Sequence, residues 1–306
     1  MNIIPSGDIP VGEKEKLGGW NEEIFESLSS KNKKAYALAA RLHHNVFRKN
    51  GDPYLVHINR SLVFLKDHKD LLPEALNIEL LTLYIILHDC IEDNKDGLQM
   101  IQKYFGNEMM ISVLWMSAPK VAVLDQLDRF LGKTETETET ETEKDNSQYE
   151  QFSSISQVIH ANTPEDIGTI EELSKLLPDG DWISLWKNGF KKRYESAEDP
   201  EKQKNVFADW VFQGMVYNMP EGEFLAKSFE RLDNLTDIEG LQDEKGMVSY
   251  RKTMFTTEKT YIPRLQALHM NLLKKVMEDT LHINNPDIKR ITDQTKKGAN
   301  QSTEGG

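Results

Sequence analysis

Apolar residues along this chain recur at helical spacing. In KKAYALAARLHHNVF, Ala35, Leu38, Ala39, Leu42 and Val46 lie three or four positions apart, which predicts one buried stripe of a helix over 31–47. Asn50-Gly51-Asp52-Pro53 breaks that pattern, because glycine suits a turn and proline cannot extend the helix before it. The helical period resumes through Leu55, Ile58, Leu62 and Leu65, and Pro73 is expected to open another helix. ALNIELLTLYIILHDCIED is apolar on most sides, as a central helix covered by its neighbours should be. Helical patterning continues in LQMIQKYFGNEMMISVLWMSA, with a break at Gly106, and in VFADWVFQGMVYNM and EGEFLAKSFERLDNLTDI. TYIPRLQALHMNLLKKVMEDTLHI reads as the last long helix. No run of alternating strands competes, so the expected fold class is all-α.

Residues 1–30 form an N-terminal arm, irregular where glycine, proline and charge concentrate before position 20. The main body is expected over 31–283, with an inserted segment at 133–200, and 284–306 read as a polar, disordered tail. The insertion begins with TETETETETE at 134–143, an alternation with no apolar face and hence a solvated linker. It also holds two short helical signals, TIEELSKLL and DWISLWKNGFKKRY. Trp182, Trp186 and Phe190 within the second read as core, and Lys191-Lys192-Arg193 as a solvated basic face.

Composition narrows the possible partners. The 306 residues are 38% hydrophobic and 28% charged, with a net charge of −13. Five glutamates against two lysines between Lys133 and Lys144 supply −3 of this; the rest is spread widely. Such a surface argues against a nucleic-acid polymer as partner, since binding one requires many cations to displace counterions. An anionic substrate would have to be met by a local basic pocket or a metal. The single cysteine, Cys90, excludes an intramolecular disulfide and fits a reducing compartment. The N-terminus has no basic-then-apolar leader, and no apolar run approaches the ~20 residues of a membrane span. The expected location is the cytoplasm, without a membrane partner; a homo-oligomer is left open.

Chemistry-bearing residues concentrate in three stretches. In LHDCIEDN, His88 and Glu92 would share one helix face, and Asp89 and Asp93 the next. Carboxylates crowded around an imidazole repel one another unless a cation joins them. Imidazole with carboxylate suits Mn²⁺, Fe²⁺ or Zn²⁺. His57, at the end of RKNGDPYLVH, and Glu230 with Asn234, in FERLDN, are further candidates. His43 is read as packing near such a site rather than ligating, and Cys90 as a buried thiol without a role. Lys227 and Arg231, one turn apart, are expected to pair with nearby acids.

RKNGDPYLVH, LHDCIED and AKSFERLDNL resemble, in order and separation, the three motifs of the HD-domain pyrophosphohydrolases that degrade the alarmones ppGpp and pppGpp. That family comprises the hydrolase half of Rel/SpoT enzymes and small stand-alone hydrolases. The motifs there run R-K-S-G-E-P-Y-x-x-H-P, L-H-D-x-x-E-D-T and K-x-A-D-R-L-H-N. YFGNEMMISVLWMS resembles the segment after the second motif, and the resemblance covers about 31–118 and 203–270. It implies an HD-type helical bundle releasing pyrophosphate from guanosine tetra- or pentaphosphate, with a divalent metal, usually Mn²⁺. His57, His88, Asp89 and Glu230 would hold the metal. Glu92 and Asp93 would handle the attacking water and Asn234 a polar contact nearby, while Arg48, Lys49 and Asn50 would meet the nucleotide. Glu230 replaces an aspartate and adds a methylene, about 1.5 Å of reach. Asp233 replaces a histidine, Ile58 a proline and Asn50 a serine, and Thr236-Asp237 stand where arginine and threonine are usual. These departures keep two other readings open: an HD phosphohydrolase for another nucleotide, and a degenerate HD domain acting as a non-catalytic regulatory module.

Overall fold

The computed structural model describes residues 11–92, 94–137, 155–158, 167–237 and 244–284. These residues are mostly helical and include no strand. No described helix is long and apolar enough to cross a membrane. The helices used below are α1 (Glu22–Ser27), α2 (Ser30–Leu42), α3 (Tyr54–His68), α4 (Ile78–Leu87), α5 (Gly97–Met116), α6 (Val121–Glu137), α7 (Ile167–Leu176), α8 (Pro200–Asn218), α9 (Glu221–Thr236), α10 (Glu244–Thr256), α11 (Ile262–Ala267) and α12 (Asn271–Ile283).

The hub is α4. Asn77 caps it by accepting from the Leu80 N–H at 3.0 Å, so the helix starts there. Pro73 instead lies in a turn ahead of that cap. Ile85, Ile86 and Leu87 are inaccessible on three successive faces, because α2, α3 and α9 all pack on α4. Each such side chain contributes about 1.5–3 kcal/mol by leaving water. The helix ends at Leu87, earlier than its apolar pattern predicts, and His88–Glu92 follow as turns. The Cys90 and Glu92 N–H groups donate three residues back, to Leu87 and Asp89 at 3.1 and 3.0 Å, which is the tighter 3₁₀ spacing.

Helix α2 likewise stops at Leu42. Asn45 takes a positive φ of 65°, and the chain folds into a narrow loop closed by the bridge between Phe47 and Pro53. Inside it the Arg48 N–H donates to the Asp52 carbonyl at 2.8 Å. The Asn50 side chain accepts from the Asp52 N–H at 2.9 Å. Gly51, at φ 90°, occupies a conformation that side chains rarely adopt. The loop therefore presents Arg48, Lys49 and Asn50 from a fixed base at the start of α3.

The 182–195 stretch is built into the body. Trp182 and Phe190 are buried, and Trp186 packs on Trp210 of α8 at 4.9 Å. The Trp210 indole donates to the Trp182 carbonyl at 2.8 Å. Gly214 leaves room for the Trp182 ring, since a Cβ there would lie 2.7 Å from it. Helix α6 runs to Glu137, so the first four residues of the Thr-Glu repeat are helical; the remainder of the repeat and the 285–306 tail lie outside the described residues. The helix expected over 260–283 divides at Leu268–Met270, where His269 has φ 57°. Helix α1 falls within the stretch read as an arm.

Candidate metal centre

Helix α9 carries the third cluster of chemistry. Its apolar face buries Phe224, Leu225, Phe229 and Leu232. Lys227, Glu230, Asn234 and Asp237 recur three and four positions apart along another stripe. Because α9 packs on both α3 and α4, that stripe meets His57 on α3 and the turn that ends α4. Gly97 and Gln126 hold this turn from behind. A Cβ on Gly97 would collide with the Cys90 carbonyl at 2.1 Å. The Gln126 amide donates to the Ile91 carbonyl at 2.6 Å and accepts from the Leu98 N–H at 3.0 Å.

His57, His88 and Asp89 converge: one ligand atom from each lies within 4.8 Å of the others, and the three could hold a metal ion. Both imidazoles are inaccessible. His57 Nδ1 meets Asp233 Oδ2 at 2.5 Å, and His88 Nδ1 meets the Ile85 carbonyl at 2.7 Å. Since those oxygens accept, each Nδ1 carries the proton, and each Nε2 is left as the atom that can ligate. His57 Nε2 has no hydrogen-bond partner. His88 Nε2 lies 2.8 Å from Asp89 Oδ2 as an ion contact. A buried imidazole nitrogen without a partner, as at His57, is costly unless something binds it. Lone-pair nitrogens beside a carboxylate are a donor set suited to a borderline divalent cation.

Electrostatics separate the two histidines. Burial disfavours charge on both. At His57 burial and the Arg48 guanidinium prevail over Asp233, and the pKa is lowered. At His88 burial is outweighed by Asp89, and the pKa is raised. Burial opposes ionisation of Asp89, yet His88 and Lys227 hold its carboxyl well below the usual range. The Tyr54 hydroxyl also donates to Asp89.

The other site residues are distributed around this group. Glu230, expected among the ligands, stands outside it. Lys227 Nζ lies 3.1 Å from Glu230 Oε2 and 3.4 Å from Asp89 Oδ1, and the Asn234 amide donates to Glu230. Burial raises the Glu230 pKa, but Lys227 and Arg231 bring it down to about 2. Glu92 does not share a face with His88, because the chain there is no longer α-helical. It accepts from the Ala118 N–H at 3.0 Å and from Lys120 at 2.9 Å. Asp93 lies outside the described residues. Arg48 donates to Asp237 at 3.0 Å and to Asn234 at 2.7 Å, and Asn50 donates to Asp237 at 2.8 Å. Lys49 donates to the Ser249 hydroxyl at 2.8 Å. His43 is buried and stacked on Tyr54 at 4.3 Å, outside the metal group.

Some residues that matter here were not singled out for their roles by the sequence. Asp233 appeared only as a departure, yet it orients His57 and accepts from Arg60 at 2.5 Å. Lys227 was expected to meet an acid and meets two. Tyr54 stands at a motif position but was given no role, and Gln126 carries no spacing signal that could have found it. Scans against protein-family models, curated proteins and solved structures gave no match to this chain.

Proposed function

We propose that the chain is a metal-dependent phosphohydrolase of the HD type, acting on the 3′-pyrophosphate of a guanosine tetra- or pentaphosphate. The observation that carries this reading is the convergence of the buried His57 and His88 imidazoles on Asp89, with His57 Nε2 left unpartnered. His57, His88 and Asp89 would hold the ion, and Mn²⁺ suits an imidazole and carboxylate set. The chemistry such an ion supplies when bound is polarisation of a phosphoryl oxygen and acidification of water. The protein's part is to hold these donors with their protons placed on Nδ1, and to keep the group buried. In the reaction, water oxygen joins phosphorus, the bond from phosphorus to the ribose 3′ oxygen breaks, and pyrophosphate departs. Glu92 and Asp93 are assigned to take the proton that water loses, and the 3′ oxygen regains one. Arg48, Lys49 and Asn50 project from the closed loop at the start of α3 and are assigned to the nucleotide.

A second reading has support from one observation. The Arg48 guanidinium is already occupied by Asp237 and Asn234, which favours an HD phosphohydrolase with a different nucleotide preference. The test is to offer purified protein with Mn²⁺ both alarmones and a panel of other nucleotides, beside His88→Ala and Asp93→Ala. GDP or GTP with pyrophosphate, absent from both variants, is the expected result. Turnover of another nucleotide alone selects the second reading, and binding of Mn²⁺ without any turnover overturns both.

A further inference from the structure

Lys227 is the least expected feature of the centre. A lysine side chain only 5% exposed is rare, because desolvating an ammonium costs several kcal/mol unless acids repay it. Here two acids do: Glu230 Oε2 at 3.1 Å and Asp89 Oδ1 at 3.4 Å. The ammonium also lies 5.7 Å above the Phe212 ring, whose face attracts cations. Asp89 is thus shared. It belongs to the group that could hold a metal and is also one of the two carboxylates on Lys227. Glu230 is not shared, being held by Lys227 and Asn234.

Two cations that use one carboxylate oppose each other. A divalent ion among His57, His88 and Asp89 would face the Lys227 charge across Asp89, in a buried setting where screening by water is weak. Without a metal, the same ammonium neutralises the two acids that would otherwise stand buried and unpaired. We propose that Lys227 is a resident cation of the site, which holds its carboxylates in the metal-free protein and lowers its affinity for the divalent ion. It acts as a positioning residue, with Glu230 as its counter-ion and not a metal ligand. This rests on the metal-binding half of the proposed function and on none of its hydrolytic half.

The experiment is calorimetric titration of metal-free protein with Mn²⁺, comparing wild type, Lys227→Met and the double variant Lys227→Met/Glu230→Gln. The double variant removes both charges at nearly constant volume, so it leaves no orphaned acid at position 230 and remains foldable where the single variant does not. Tighter binding by about tenfold or more in the double variant is expected, since Asp89 is released to the metal. Weaker binding there would make Glu230 a ligand and overturn the proposal, and unchanged binding would overturn it by removing any opposition between the cations. Lys227→Arg, which keeps the charge, should stay near wild type, whereas tightening in it as well would point to lost packing and count against the proposal. Turnover plays no part in these readings: tightening without hydrolysis of any nucleotide would sink the hydrolase while leaving the role of Lys227 intact.

Discussion

The metal group is buried and the loop at the start of α3 is partly exposed, and they also differ in what they leave undone. Within the candidate metal group His57 Nε2 has no hydrogen-bond partner, and His88 Nε2 meets Asp89, another member of the group. In the loop, Arg48, Lys49 and Asn50 are all engaged, by Asp237 and Asn234, by Ser249, and by Asp52 and Asp237. Buried polar atoms ordinarily find partners. Open atoms therefore point to a missing ligand, while satisfied ones describe a wall that is stable without one. The difference teaches that the proposed metal has more support from this site than any particular nucleotide has.

The most damaging test strikes the open half. His88→Gln should weaken Mn²⁺ binding by at least about 100-fold, beyond the 10–100-fold that losing an outer partner costs. In wild type, Mn²⁺ at 100 times its dissociation constant should add about 2.7 kcal/mol of stability, removable with a chelator. Calorimetric titration and thermal melts with and without Mn²⁺ would measure both. A wild-type melting temperature indifferent to Mn²⁺, Zn²⁺ and Fe²⁺ would mean that His57, His88 and Asp89 mark no metal site.

Next in size is the residue that keeps His57 open in the right sense. Asp233 accepts from His57 Nδ1 and from Arg60, and both of these partners hold its pKa down against burial. Asp233→Asn removes the charge that keeps the proton on Nδ1. Metal affinity should fall about 10–100-fold, in line with other outer-shell partners. Full affinity in this variant would show that the tautomer of His57 is fixed by something else.

The pattern of apolar residues was enough to read the all-α class, and the motifs were enough to select His57, His88 and Asp89 from distant parts of the chain. Those three are legible because their residue types carry chemistry and their helices are set by strong apolar periodicity. What escaped is local. LHDCIED reads as helix because Ile91 continues the apolar spacing, but Gly97 and Gln126 draw the turn backwards, and neither belongs to a periodic pattern. The pairing of Glu92 with Lys120 follows from that turn. Lys227 looks like any surface lysine in the sequence, since it is tertiary packing on α9, with Phe212 of α8 over the ammonium, that seals it from water.

His43 separates being a buried histidine from belonging to the candidate metal group. It is buried in the same neighbourhood, but it packs on Tyr54 and its pKa is lowered to about 4, chiefly by burial. From pH 6.5 down to about 4 the unfolded chain therefore takes up a proton at this position that the folded chain refuses, and stability falls through that window. His43→Phe should remove about 2 kcal/mol of the stability lost between pH 7 and pH 5 in urea denaturation, while Mn²⁺ affinity stays at the wild-type value. A large drop in metal affinity would place His43 among the ligands and dissolve the distinction.

The smallest effect probes the satisfied half. Asp237 holds Arg48 and Asn50 and also lies 3.4 Å from Arg60, so it ties the loop to the last turn of α9. Pairs this shielded, with Arg48 and Asp237 side chains 15% and 13% exposed, are worth about 1 kcal/mol or somewhat more. In Asp237→Ala that energy is no longer spent on an internal partner, and Arg48 keeps only Asn234. Guanine-nucleotide affinity in the presence of Mn²⁺ should then rise about three- to tenfold. The gain must vanish in Asp237→Ala/Arg48→Ala if Arg48 is its source, a non-additivity that a double-mutant cycle measures directly. No gain in the single variant would remove Arg48 from the nucleotide's contacts. The loop would then be a structural strut for α3, and any nucleotide selectivity would have to come from elsewhere around the metal group.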